Sequence, residues 1–143
     1  MKKILIALLC LAVACSSLYA GDRKGIKREQ LPQAAQNYLH QNWNNVAIRS
    51  VVKETEGYKV EYEVRLANGT TVEFNRDGGW KEIDADCGIP KTALHASIVA
   101  CAAEHYPGAL IVEAEKTTKG YTIELSNGRE MEFDTQCVLT KIK

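Results

Sequence analysis

Tyr58, Val60, Tyr62, Val64 and Leu66 alternate with Lys59, Glu61, Glu63 and Arg65, a period of two that sets one side of an extended segment against a core and the other in water. Asn68-Gly69 follows and predicts a two-residue hairpin turn, since both residues tolerate the positive φ of a type I′ turn. Val72 and Phe74 then mark a returning strand, and Asp77-Gly78-Gly79 turns the chain once more before Trp80 to Ile83. Ahead of these strands the period is helical. A helix is predicted over Pro32 to Asn42, opened by a proline that needs no intrahelical donor. A second is predicted over Pro90 to His105, with Leu94, Ile98 and Cys101 on one face and Pro107-Gly108 ending it.

Overlaying the chain on itself shows that these signals occur twice in the same order. Leu31-Pro32 falls on Ile89-Pro90, Trp43 on Tyr106, Gly57-Tyr58-x-Val60-Glu61 on Gly120-Tyr121-x-Ile123-Glu124, and Asn68-Gly69-x-x-Val72-Glu73-Phe74 on Asn127-Gly128-x-x-Met131-Glu132-Phe133. The offset runs from 58 to 63 to 59, which assigns a longer helix to the second copy and a longer hairpin to the first. Two copies of this length indicate internal duplication rather than a solenoid. The fold class expected is α+β: two tandem helix-plus-four-strand repeats, about 30–86 and 87–143, forming one antiparallel sheet of eight strands with both helices on one face. That face would bury Tyr58, Val60, Tyr62, Val72 and Phe74 with Ile123, Leu125, Met131 and Phe133.

The N-terminus changes what counts as the working chain. Met1-Lys2-Lys3 followed by apolar Ile4 to Ala14 has the form of a signal peptide and is too short to span a bilayer. Cleavage is expected after Ala20, leaving 21–143 as one domain in the periplasm or outside the cell, with lipidation of Cys15 as the rival processing. Loss of Lys2 and Lys3 leaves 16 basic against 18 acidic residues, a balance that gives no reason to expect nucleic acid. Cys87, Cys101 and Cys137 remain, an odd number. Cys101 reads as a small core residue, and any disulfide would join Cys87 to Cys137 at two segment ends.

No enzyme is indicated. His40, His95 and His105 fall in helical patterns without metal-binding spacing, and Gly-x-Ser-x-Gly, phosphate loops and Cys-x-x-Cys are missing from the sequence. Asn75-Arg76-Asp77-Gly78-Gly79 lacks the later ligands of a calcium loop and reads as a hairpin turn. No cofactor and no metal site is therefore expected. The wet side of the sheet is more informative: Lys59, Glu61, Glu63, Arg65 and Glu73 from the first copy, with Glu113, Glu124, Glu130 and Glu132 from the second, form the candidate partner-binding face. Charges on strands also keep a sheet soluble and block edge pairing.

The exported start, the duplicated unit, the Leu-Pro or Ile-Pro helix openings, the Gly-Tyr-x-aliphatic-Glu pattern and Tyr106-Pro107-Gly108-Ala109 resemble the PepSY-like family of periplasmic proteins, also described as β-lactamase-inhibitor-like. The resemblance covers about Gln30 to Lys143; the first copy departs from it at Trp43-Asn44-Asn45-Val46. It implies a duplicated helix and four-strand fold and a role in binding or inhibiting a protein or peptide, and it brings no catalytic residues. The function expected is thus an exported, non-enzymatic binding module acting through the exposed sheet face. The alternative is a small-molecule or metal carrier using the groove between helices and sheet.

Overall fold

The computed structural model describes residues 21–143, so the leader reading of residues 1–20 lies outside the described residues. The chain forms β1 (Asp22–Gly25), a 3-10 turn (Arg28–Gln30), α1 (Gln33–Trp43), β2 (Ile48–Glu56), β3 (Lys59–Leu66), β4 (Thr71–Asn75) and β5 (Trp80–Asp84). A second 3-10 turn (Lys91–Ala93) leads to α2 (Ala96–His105), β6 (Ile111–Thr117), β7 (Gly120–Leu125), β8 (Glu130–Phe133) and β9 (Leu139–Ile142). The nine strands make one antiparallel sheet in which each strand pairs with its sequence neighbours, β1 through β9 in order. The duplicated α+β architecture is as expected, with one strand more than the eight anticipated. β1 is short and charged, Asp22-Arg23-Lys24, and lacks the alternation that would mark it; only its pairing with β2 makes it a strand.

One row of facing residues crosses the sheet: Val51, Val64, Val72, Ile83, Ala114, Ile123, Met131 and Ile142 are successive partners from β2 to β9. All but Ile142 are buried, and they join Ala35, Leu39 and Trp43 of α1 and Ile98 and Ala102 of α2 in one core cluster. The ring of Tyr38 on α1 meets Phe74 of β4 edge-on at 6.0 Å, and its hydroxyl donates to the Ala93 carbonyl at 2.6 Å, joining the two copies. Burial pushes the Tyr38 phenol above its ordinary range, so it stays a donor. Tyr38→Phe is expected to cost about 1 kcal/mol in a urea titration, the worth of one such hydrogen bond; an unchanged midpoint would show that water replaces it.

The strand ladders correct the overlay of the two copies. Tyr62 faces Phe74 and Tyr121 faces Phe133, so Tyr121 corresponds to Tyr62, not to Tyr58. From α1 to β2, and from α2 to β6, equivalent residues are 63 apart: Ile48 and Ile111 flank the same bulge, and both 3-10 turns and both helix starts match at that spacing. From β3 onward the spacing is 59, and the later bulges at Glu73/Phe74 and Glu132/Phe133 coincide. A single four-residue lengthening of the β2–β3 hairpin therefore separates the copies. Four is even, so the slip left the inward and outward assignments within the paired strands intact.

Other expectations change for local reasons. Tyr58 is 97% exposed rather than in the core, because Gly57-Tyr58 forms the hairpin loop itself. The second helix does not begin at Pro90. Leu94 is extended and His95 caps α2 by accepting from the Ser97 amide, so the longer helix becomes a 3-10 turn plus a helix of ordinary length. Cys101 is partly exposed, while Ile98 and Ala102 carry the buried stripe of α2. In the β3–β4 turn Leu66 pairs with Thr70 across Ala67-Asn68-Gly69, and Gly69 alone has positive φ, which makes it a three-residue loop rather than type I′.

Candidate functional site

Residues alternating with the core row point to the other side of the sheet, and the register brings acids together there. Glu63, Glu73, Glu82 and Glu115 are successive facing partners on β3, β4, β5 and β6. One step along the strands, Asp84, Glu113, Glu124 and Glu130 are successive partners on β5 to β8. Like charges directly opposite each other on neighbouring strands are each unfavourable by up to about 1 kcal/mol. A face built only for solubility would intersperse the signs.

Cations border these rows. Arg23 lies 3.3 Å from Glu54 and 4.0 Å from Glu63, Arg65 holds Glu63 at 2.8 Å, and Lys59 reaches Glu61 at 3.1 Å beside a short Lys81–Glu61 pair. At the far end Lys143 is 2.6 Å from Glu132 and 3.5 Å from Glu130. Partial burial pushes the Glu61 carboxyl up, but hydrogen bonds from Lys81 and Lys59 outweigh it and hold Glu61 below its ordinary value.

In the middle the balance reverses. Burial, then the charge of Glu63, raises Glu73. Burial, then the charges of Glu73 and Glu115, raises Glu82 to about 7. The two carboxylates face each other on β4 and β5, and the charge of Glu73 favours a proton on Glu82. On the core side at the same end of β5 the Lys116 ammonium lies 4.7 Å from the Trp80 ring centroid and 6.0 Å from that of Tyr121, with burial lowering its pKa.

The nine residues picked from the sequence are placed as follows. Glu61, Glu63, Arg65 and Glu73 fall together on β3 and β4, with Lys59 at the loop end of β3. Glu113, Glu124, Glu130 and Glu132 fall together on β6, β7 and β8. Glu130 is only 8% exposed, which leaves little of it for a partner to touch. Missed were Glu82, Asp84 and Glu115, the residues that join the two groups across the β5–β6 seam. The alternation Glu82-Ile83-Asp84 was a readable signal, but the pairing of β5 with β6 spans the whole intervening helix and leaves no local mark.

Among the described residues no group of three His, Cys, Asp or Glu side chains is placed to hold a metal ion. Cys87, Cys101 and Cys137 are all free thiols, so the Cys87–Cys137 pairing is not formed. His105 Nδ1 lies 2.9 Å from the Cys101 carbonyl oxygen and 3.6 Å from its sulfur, and burial, then the charge of Glu104, raises that thiol. Asn75 Oδ1 accepts from the Asp77 and Gly79 amides, the side-chain-braced turn expected in place of a calcium loop. No described helix is long and apolar enough to cross a membrane.

The chain matches a family model described as "Putative beta-lactamase-inhibitor-like, PepSY-like" over residues 21–63 and again over 60–141. It is similar to a solved structure described as a "putative periplasmic protein" of the DUF2874 family from Bacteroides vulgatus, at 30% identity over 85% of this chain and 97% of that one, TM-score 0.80. A "putative calcium-regulated periplasmic protein" from Bacteroides thetaiotaomicron is 32% identical over 85% and 97% of the two chains, TM-score 0.81. A third, a "putative periplasmic protein of unknown function" from Bacteroides vulgatus, is 28% identical over 85% and 99%, TM-score 0.78. No curated protein matches the chain.

Proposed function

The chain belongs to the PepSY-like family, and from that premise we propose that it is an exported, non-enzymatic binding module that docks another envelope or secreted protein on the acidic side of its sheet. In this reading residues 1–20 are a leader cut after Ala20, residues 21–143 act as one domain in the periplasm, and both helices cover the side opposite the docking face. The periplasmic description of the three similar structures supports the compartment. The inhibitor-like description of the family supports a protein as the thing bound.

The observation that carries the reading is the pair of carboxylate rows on neighbouring strands. Facing acids oppose folding, and local rules of sequence design are broken mainly where function requires it. A positively charged partner surface laid on Glu73, Glu115 and Glu124 would neutralise them. Such complementarity steers encounter and sets specificity, and it weakens with salt. Surface ion pairs within the sheet contribute little by comparison.

The test is chemical cross-linking in intact envelopes, comparing the native protein with a Glu73→Lys/Glu115→Lys/Glu124→Lys variant that retains the native circular dichroism spectrum. A protein cross-linked to the native chain is expected to disappear with the variant and to fade as salt is raised. Equal cross-linking by the folded variant would remove the sheet face from the account.

A further inference from the structure

A cavity lies in a different part of the molecule from the acidic rows. Where α1 ends and β2 begins, a cavity of about 570 Å³ opens between the helix, the segment after β1 and the first residues of β2. Its volume lies in the range of roughly 300–1,000 Å³ that holds small ligands. The innermost lining is apolar: Leu39 and Trp43 of α1, Val51 of β2 and Leu66 of β3, each largely buried, with Asn44, Asn45 and Ser50 nearer the opening. The rim is cationic. Arg28 and Arg49 border the opening and are exposed, with His40 beside them.

No aspartate or glutamate lines this cavity, although the chain as a whole carries as many acids as bases. The ion pairs among the described residues engage Arg23 and Arg65 and leave both Arg28 and Arg49 out. Arg49 is also the extra residue of the β2 bulge, between Ile48 and Ser50. The same bulge in the second copy holds Val112, which is only 5% exposed. The two copies thus differ here: a buried valine in the second, an exposed guanidinium at the mouth of the cavity in the first. Bulges re-aim side chains next to binding sites.

We infer that this cavity binds a medium-chain aliphatic carboxylate, its chain on the floor of Leu39, Trp43, Val51 and Leu66 and its carboxylate held by Arg28 and Arg49. A guanidinium matches a carboxylate with two parallel donors, and two of them bordering a cavity that is apolar at its base supply a head-and-tail complement to a fatty acid. The site lies apart from the acidic rows, so its occupancy and the docking proposal stand or fall separately.

Trp43 and Trp80 are the two tryptophans of the chain, so a Trp80→Phe background leaves Trp43 as a reporter inside the cavity. In that background of the full chain, purified from the envelope, decanoate is expected to shift the Trp43 emission saturably, and calorimetry on the unaltered protein is expected to give the same dissociation constant. Arg28→Gln/Arg49→Gln is expected to weaken decanoate by about tenfold or more at an unchanged melting temperature, with decanol weaker than decanoate for the native protein. Glu73→Lys is expected to leave the affinity unaltered. The proposal is overturned by any of three results: no saturation below the micelle concentration, decanol equal to decanoate, or a short peptide with an apolar C-terminus that binds more tightly than either.

Discussion

Gly120→Ala is expected to cost this protein at least about 3 kcal/mol, while Gly57→Ala costs about 1 kcal/mol, although both glycines precede a tyrosine in the same sequence pattern. At Gly120 the backbone has φ +140°, and an added Cβ would stand 2.0 Å from the Phe133 carbonyl oxygen and 2.7 Å from the Asp134 carbonyl carbon. Both are main chain, at the end of β8 and one residue past it, and cannot rotate away, so alanine would have to part β7 from β8 just where Tyr121 faces Phe133. Gly57 has φ +59° in a hairpin loop with nothing within 4 Å of the added carbon. Only the left-handed conformation is penalised there. Urea titrations read the difference directly: the Gly120 variant should unfold at a far lower midpoint with an unchanged slope, the Gly57 variant slightly below the native protein. Equal midpoints would mean that the two hairpins are equivalent after all, and that the register separating them is wrong.

That contrast shows where the sequence was and was not legible. Alternation in Tyr58 to Leu66 and the Asn-Gly turns announced strands and their facing, because burial on one side of a sheet imposes a strict period of two. Duplication was legible too, since the same turn and strand signals return in order. The matching of Gly57-Tyr58 with Gly120-Tyr121 failed because a loop and a strand end with similar residues look alike when read locally. Only the ladder partners Phe74 and Phe133 tell them apart. The Pro90 helix start failed for a related reason, as proline suits a 3-10 turn as well as the first turn of an α-helix. β1 gave no pattern, since an edge strand is held by backbone pairing and is free to be polar.

The candidate face was half legible. Within each copy the outward acids followed from alternation, so Glu63, Glu73, Glu113 and Glu124 were found. What alternation cannot supply is lateral order: which strand lies beside which, and at what register. Glu82 next to Glu73, and Glu115 next to Glu82, are consequences of β5 joining β6 across the seam between copies. The cavity at the end of α1 was invisible for the same reason, since Arg28, Trp43, Arg49 and Leu66 are brought together only by packing.

The seam also makes stability depend on pH in a sense opposite to ordinary acid denaturation. Glu73 and Glu82 have folded values above the ordinary 4.5, Glu82 at about 7, so the folded state holds their protons more tightly than the unfolded chain does. Their cost to folding is small below about 4.5, grows as pH rises and is complete above about 7. Glu61 works the other way, adding stability above its ordinary value and losing it as pH falls, because Lys81 and Lys59 favour its charged form. Facing Glu73 are Glu63, Glu61 and Lys81; facing Glu82 are Glu73, Glu115 and Glu113. Glu82→Gln removes one charge from the crowded row and still offers Glu73 a hydrogen-bond donor. It is expected to stabilise the protein at about pH 8 by on the order of 1 kcal/mol once solvent screening of these half-exposed groups is allowed for, or about 4 °C in melting temperature, with no gain at about pH 4. Thermal melts of both proteins across that range decide it. If the substitution changed the melting temperature equally at both ends, the raised affinity of Glu82 for its proton would have no part in the stability of the sheet.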